Sequence, residues 1–375
     1  MSGPKDDPAR VRAPAVAGLF YPEDPAACTA EAQAYVGPWL NETEEQPRRR
    51  EEREEREERE EQTRRDVEEQ RAGAPKRWIG GVVPHAGWVC SGAIAGQTIG
   101  TIAASRRRQP PVLRGLPHRP DVARAAGPTR VDSGSPNDSP SDSPDVVIVL
   151  GAVHTPLPLR AAALDDYERW AVPNGSFDGA SLVLAELRAK LLEARGGGGA
   201  TGELFATDDR FHRREHAVEV ELPLIAAAWP GSAIVPVEVP TVEHADEIGR
   251  QIARLIGAMK LDAVILASSD LTHYGPAYRF VPAGLGLSGL RWAKENDRRL
   301  LDRIQRMDVR GIVPEVMENV NACGGGAIAA MLSACRELGA NKARVLHHAN
   351  SYETLAVIEP QPPDNAVGYA SAVVG

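Results

Sequence analysis

Long apolar runs are missing from this chain. No stretch approaches the roughly 20 consecutive apolar residues that a membrane-spanning helix needs, and the opening MSGPKDDPARVRAPAVAG carries no apolar signal segment. Cysteine is scarce as well. Cys28, Cys90, Cys323 and Cys335 are too scattered for a disulfide framework or a CxxC zinc ribbon, which fits a reducing compartment. Nor is there a surplus of positive charge: the formal net charge is -9 at pH 7, whereas a phosphate backbone calls for clustered cations. These absences set the expectation of a cytoplasmic protein, with the nucleus as a second compartment, and exclude membrane and nucleic acid as expected partners.

What is present suits a folded domain. A hydrophobic fraction of 42% beside a charged fraction of 25% is ordinary for a globular protein, and it suffices for a sizeable core. The 375 residues would allow two domains by length. Composition favours one domain, 12–375, carrying two insertions. From Asn41 to Arg77, Glu-Glu-Arg repeats every three residues without an apolar stripe. Glu/Arg pairs at helical spacing add only about 0.2–0.5 kcal/mol each, so this run reads as a solvated helix or as disorder, with a partner-binding arm as the functional alternative. From Arg106 to Pro144 the chain is rich in Pro, Ser and Asp and reads as a disordered loop, which removes His118 from the candidate ligands.

Elsewhere short apolar runs, turn residues and helical periodicity alternate. The pattern predicts an α/β fold with a largely parallel or mixed central sheet flanked by helices. Strands are expected at Trp78 to Val83, Val146 to Leu150, Ala233 to Val239, Ala263 to Ala267, Ala343 to His348, Thr354 to Ile358 and Val367 to Val373. Helices are expected at Ala93 to Ile102, Ala180 to Glu193, His216 to Ala228, Ala245 to Met259, Gly289 to Gln305 and Gly326 to Leu338.

Polar residues follow three of the strands. VVPHAGWVCSG puts His85 just past one apolar run, VVIVLGAVHT puts His154 past the next, and AVILASSDLTHYG puts Asp270 and His273 past a third. Ligands of open α/β sheets bind outside the carboxyl ends of strands, so these side chains can converge. Each histidine has two readings, a ligand for iron, copper or zinc, or a loop residue bonded to a carbonyl. Asp270 could orient His273 as a general acid/base or simply cap its turn. Cys323 precedes Gly324-Gly325-Gly326 and an apolar helix, where a helix N-terminus favours the thiolate, a soft metal ligand. Cys335 and Cys90 read as small apolar residues and Cys28 as incidental. Glu215 and His216 open EHAVEVELPLI, with Glu219 one turn on, and either add outer hydrogen bonds to the site or match a helix dipole. Tyr274 borders the Asp270 loop in the same outer role. His212, His244, His347 and His348 read as surface or structural.

The motifs RAPAVAGLFYP, VPHAGWVCSG, VLGAVHT, EHAVEVELP, ASSDLTHYG and NACGGGAIAAML stand in the order found in the Memo family, named for mediator of cell motility, whose bacterial members are called AmmeMemoRadiSam system protein B. The resemblance runs from about Arg12 to the C-terminus outside the two insertions. It implies a fold similar to the class III extradiol dioxygenases, which use non-haem iron. It also implies a pocket in which His85 and His154 match the metal-binding histidines, Cys323 the cysteine, and Asp270 and His273 the aspartate and histidine opposite. Where ring-cleaving relatives place a carboxylate ligand this chain has Cys323. That departure turns the expectation away from ring cleavage and toward a copper or iron ion, with zinc as a further candidate. Two further departures are Gly-Gly-Gly after Cys323, where relatives commonly carry a basic residue, and Gly-Ala-Val-His in place of Gly-Pro-Asn-His around His154.

The expected function is a copper- or iron-dependent redox protein with a His/His/Cys site, acting as a non-haem oxidoreductase on a small-molecule substrate or oxygen. The alternatives are a non-catalytic module that binds a peptide or phosphopeptide in cell-motility signalling, and a metal store or chaperone.

Overall fold

The computed structural model describes residues 10–40, 77–107, 142–178, 182–194, 202–356, 358 and 362–375. Its strands are β1 (Val11–Arg12), β2 (Gly80–Val83), β3 (Val146–Gly151), β4 (Ala162–Leu164), β5 (Arg169–Val172), β6 (Gly175–Asp178), β7 (Phe205–Thr207), β8 (Ala233–Glu238), β9 (Ala263–Ser268), β10 (His273–Tyr274), β11 (Ala343–Asn350) and β12 (Ala366–Val374). Its α-helices are α1 (Pro25–Leu40), α2 (Trp88–Arg107), α3 (Leu182–Glu193), α4 (Leu222–Ala228), α5 (Ala245–Met259), α6 (Leu287–Gln305), α7 (Val309–Asn319), α8 (Gly325–Glu337) and α9 (Ser351–Leu355).

The main sheet runs β10-β12-β2-β9-β3-β8-β4-β7, with β11 also paired to β12. Its centre, β2-β9-β3-β8, is parallel; β12 and β4 join that centre antiparallel on either side. A small second sheet joins β1, β5 and β6. The centre is buried on both faces, as parallel strands are, and the pleat divides the side chains. Val146, Ile148 and Leu150 of β3 pack into the core shared with α5, α7 and α8, while Val147 and Val149 pack into the core shared with α1, α2 and α4. The mixed α/β architecture flanked by helices is therefore the expected one.

Several elements differ from expectation. Thr354 to Ile358 does not form a strand: Asn350 and Glu353 make a reciprocal capping box that starts α9 over Ser351–Leu355. The segment from His216 is not one helix, because a short 3-10 turn at Glu219–Glu221 precedes α4. The insertion expected at 41–77 lies outside the described residues apart from Arg77, and that at 106–144 apart from its two ends. Those ends are tied to each other. Arg106 is buried in the last turn of α2, where it donates from Nε to the Asp142 carbonyl at 3.0 Å and from Nη2 to Asp262 at 2.7 Å. No described helix is long and apolar enough to cross a membrane.

Candidate metal centre

The carboxyl ends of the parallel strands deliver the site. β2 ends two residues before His85, β3 three before His154, and β9 two before Asp270. All three loops open at the same edge, which is why residues so distant in sequence meet. Ligand nitrogens of His85, His154 and His216 lie within 4.8 Å of one another. The His154 and His216 rings are stacked with centroids 4.6 Å apart, and His85 stands edge-on to both, at 5.1 and 5.3 Å. Cys323 brings its Sγ to 3.3 Å from His85 Nε2.

Each ring is held by its Nδ1. The Ser268 hydroxyl donates to the Ala217 carbonyl at 2.6 Å, so its oxygen is left to accept from His85 Nδ1 at 2.8 Å. Glu215 Oε1 accepts from His154 Nδ1 at 2.8 Å and lies 3.2 Å from His216 Nδ1. Glu215 also caps the backbone, accepting from the N–H groups of His154 and His216 at 2.8 and 2.9 Å. The Nδ1 atoms being so engaged, the Nε2 lone pairs are the ones available to an ion, and an oxygen partner behind each imidazole is the usual support of a metal-bound histidine. The donor set of three imidazoles and a thiol therefore fits copper, iron or zinc.

Electrostatics separate the groups. Burial, aided by His154 and His216, keeps His85 neutral by moving its pKa well below the usual imidazole value. Burial also opposes a charge on His154, but the Cys323 sulfur and Glu215 outweigh it and lift the pKa to about 10. Glu215 would rise on burial, yet hydrogen bonds from His154 and His216 hold it well below the carboxylate range. The expected bias of Cys323 toward thiolate is overturned. Burial pushes its thiol upward, with nearby Asp270 adding to the rise and a hydrogen bond with His154 opposing it. An ion at the sulfur would reverse that balance.

The remaining candidates take distinct places. Asp270 accepts the His85 backbone N–H at 2.8 Å, and its carbonyl receives the Cys323 N–H at 3.3 Å, so it ties three loops together. Burial raises its pKa, with His273 and the His85 N–H opposing. His273 donates from Nδ1 to the Leu271 carbonyl, 3.1 Å away, and its ring meets Tyr278 edge-on. Among the described residues Asp270 and His273 share no hydrogen bond. Tyr274 is turned away: its hydroxyl donates to the Gly284 carbonyl at 2.6 Å and its ring packs with Phe280 and Trp292. The three glycines after Cys323 have a packing cause. A Cβ on Gly324 would lie 2.7 Å from Ser269, one on Gly325 2.9 Å from Val316, and one on Gly326 would strike the Pro240 carbonyl.

Sequence reasoning placed His216 only in the outer circle, and it missed Ser268 altogether. Pro223 at the start of α4 was the available signal, since proline favours the first turn of a helix and so leaves His216 in the preceding connection. The sequence RFHRR, which lines the neighbouring pocket with Arg210, Arg213 and Arg214, was also passed over.

An α/β sheet with imidazoles and a thiol gathered at its carboxyl edge defines a class that comparison narrows further. Residues 137–373 match the family described as Memo-like protein, and the chain belongs to that family. A MEMO1 family protein of Thermococcus kodakarensis is 29% identical over 371 residues, covering 97% of this chain and 99% of its own. One from Pyrococcus abyssi is 27% identical with the same coverage. A third, from Methanosarcina barkeri, is 27% identical over 79% of this chain and 86% of its own. Among solved structures an uncharacterized protein from Escherichia coli K12 aligns with a TM-score of 0.34 at 11% identity, over 61% of this chain and 86% of that one.

Proposed function

We propose that this Memo-family chain is a metal-dependent redox protein that holds copper or iron through His85, His154 and Cys323, with His216 as a fourth donor. The observation that carries the reading is a group of three imidazoles with ligand nitrogens within 4.8 Å of one another, each facing an oxygen at Nδ1, with the Cys323 sulfur 3.3 Å from His85 Nε2. A bound copper or iron ion would supply one-electron chemistry and an attachment point for oxygen or substrate. The chain's own residues do the rest. Ser268 and Glu215 fix the ring tautomers, Asp270 fixes the His85 backbone, and His273, whose Nε2 has no hydrogen bond among the described residues, serves as a proton carrier. Buried His85 forms the dry floor and exposed His154 the solvent side, so substrate enters past His154.

Anaerobic reconstitution of metal-free protein with copper or iron, followed by elemental analysis and an oxygen-consumption assay, tests this. One ion per chain is expected, with His85→Ala and His216→Ala both losing it. Retention of the ion by His85→Ala, or failure of the parent chain to hold either metal, would overturn the proposal.

A further inference from the structure

Beside the candidate centre lies a pocket of about 400 Å³ whose walls include His154, Thr155, Arg210, Arg213, Arg214 and His216. Its volume falls in the range of small-molecule sites, roughly 300–1,000 Å³. Two of its walls are members of the metal group, so whatever fills it touches that group. Three of its walls are arginines within five residues of a chain whose net charge is -9.

The arginines are not equivalent. Arg210 is clamped by Asp208, from Nε at 2.8 Å and from Nη2 at 2.6 Å. Arg213 reaches Asp209 from Nη2 at 3.1 Å, and Asp209 also faces Arg10 at 3.5 Å. Glu215, the acid of the pocket wall, is committed to His154 and His216. Arg214 is exposed and, among the described residues, makes no ion pair or hydrogen bond. Two of the three cations are thus neutralised by aspartates, and one guanidinium fork is left over at the pocket. A guanidinium fork holds a carboxylate bidentately, and a single uncompensated cation balances the charge of a monoanion but not of a dianion.

We infer that this pocket receives a small organic acid whose carboxylate is held by Arg214 while its other end lies against His154 and His216. The inference rests on the metal-centre reading for the identity of the reacting end, but not for the carboxylate contact. An exposed arginine is ordinarily just solvated. What sets Arg214 apart is a concavity shared with two imidazoles and the absence, among the described residues, of an acid to answer it.

The full chain, reconstituted with metal, is titrated calorimetrically at low salt with benzoate, with its neutral isostere benzamide and with inorganic phosphate. Benzoate is expected to bind saturably, benzamide not to bind, and phosphate to bind more weakly than benzoate. Arg214→Gln is expected to weaken benzoate at least about tenfold, the size of one charge-assisted contact, and Arg214→Lys by less because it keeps the charge without the fork. Metal content should be unchanged in both variants. Equal binding of benzamide and benzoate, tighter binding of phosphate, or unchanged benzoate affinity in Arg214→Gln would each overturn the inference. Benzoate binding that needs Arg214 in a chain that holds no metal would uphold it while removing the redox reading. Full metal retention without Arg214 dependence would do the reverse.

Discussion

Glu215 shows how one side chain can govern a site without touching an ion. Its carboxylate accepts from His154 Nδ1 and faces His216 Nδ1, so it sets the orientation of two rings and the proton position on the first. Glu215→Gln replaces one acceptor oxygen by a donor, and neither imidazole can then be sure of its partner. The expected outcome is a metal affinity about 10- to 100-fold lower, the usual range for such supporting partners, with the fold unchanged. Competition against a chelator measures it; an affinity equal to the parent's would show that the rings are held by packing alone. At this scale the sequence singles out His85 and His154 because they follow apolar strands, and Cys323 because it precedes a glycine-opened helix; the structure places the two histidines beside His216 and the sulfur beside His85. It places His216 only among the outer partners and gives no sign of Ser268. The first sits in text that scans as a helix, and the second matters only through a hydroxyl whose neighbours are 183 and 51 residues away.

Among the elements, the segment from Arg12 to Tyr21 is secured by a single buried acid. Glu219 receives Arg12 Nη1 at 2.6 Å, the backbone N–H groups of Ala15 and Val16 at 2.9 Å, and the Tyr21 hydroxyl at 2.8 Å. Arg12 in turn lies over the Trp170 ring, 4.0 Å from its centroid. The segment so held brings Phe20 to 4.9 Å from the His216 ring. Glu219→Ala leaves Arg12 charged, buried and unpaired, which costs on the order of 3–5 kcal/mol. Denaturant titration should show that loss together with reduced metal retention, and a midpoint equal to the parent's would disprove the anchoring role. The central strands and most helices were legible from periodicity, but the short outer strands β4, β7 and β10 were not, and neither were helices α1 and α7. Each carries an internal proline, Pro38 and Pro314, which argues against a helix until tertiary packing overrides it. The α9 turn was hidden for the opposite reason, since its cap depends on Asn350 emerging from β11 in the right direction.

For the molecule as a whole, acid stability should report on His212. It is fully buried, gives Nε2 to the Ala163 carbonyl at 3.0 Å, and faces Glu238 at 3.8 Å, with Arg12, Glu215 and Asp208 also acting on it. Burial lowers its pKa from 6.5 to about 4, with the Ala163 bond opposing. Above pH 6.5 both folded and unfolded states hold it neutral and it contributes no slope. As pH falls from 6.5 toward 4 the unfolded chain takes up a proton that the folded one refuses, so stability drops, by a total on the order of 3 kcal/mol. His212→Gln should lose that part of the slope in urea titrations across this range; an identical slope would refute the assignment. The arrangement of the centre has one more consequence, for the order of events during synthesis. The donors proposed for it are residues 85, 154, 216 and 323, each from a different strand end or connection of one sheet. No local fragment can assemble them, because the contacts are all between distant parts of the chain. On the proposed metal reading, a ribosome-bound intermediate would carry its histidines as isolated, weak donors until the stretch holding Cys323 has emerged and docked, so full metal capture would come late and mark a chain that has finished folding.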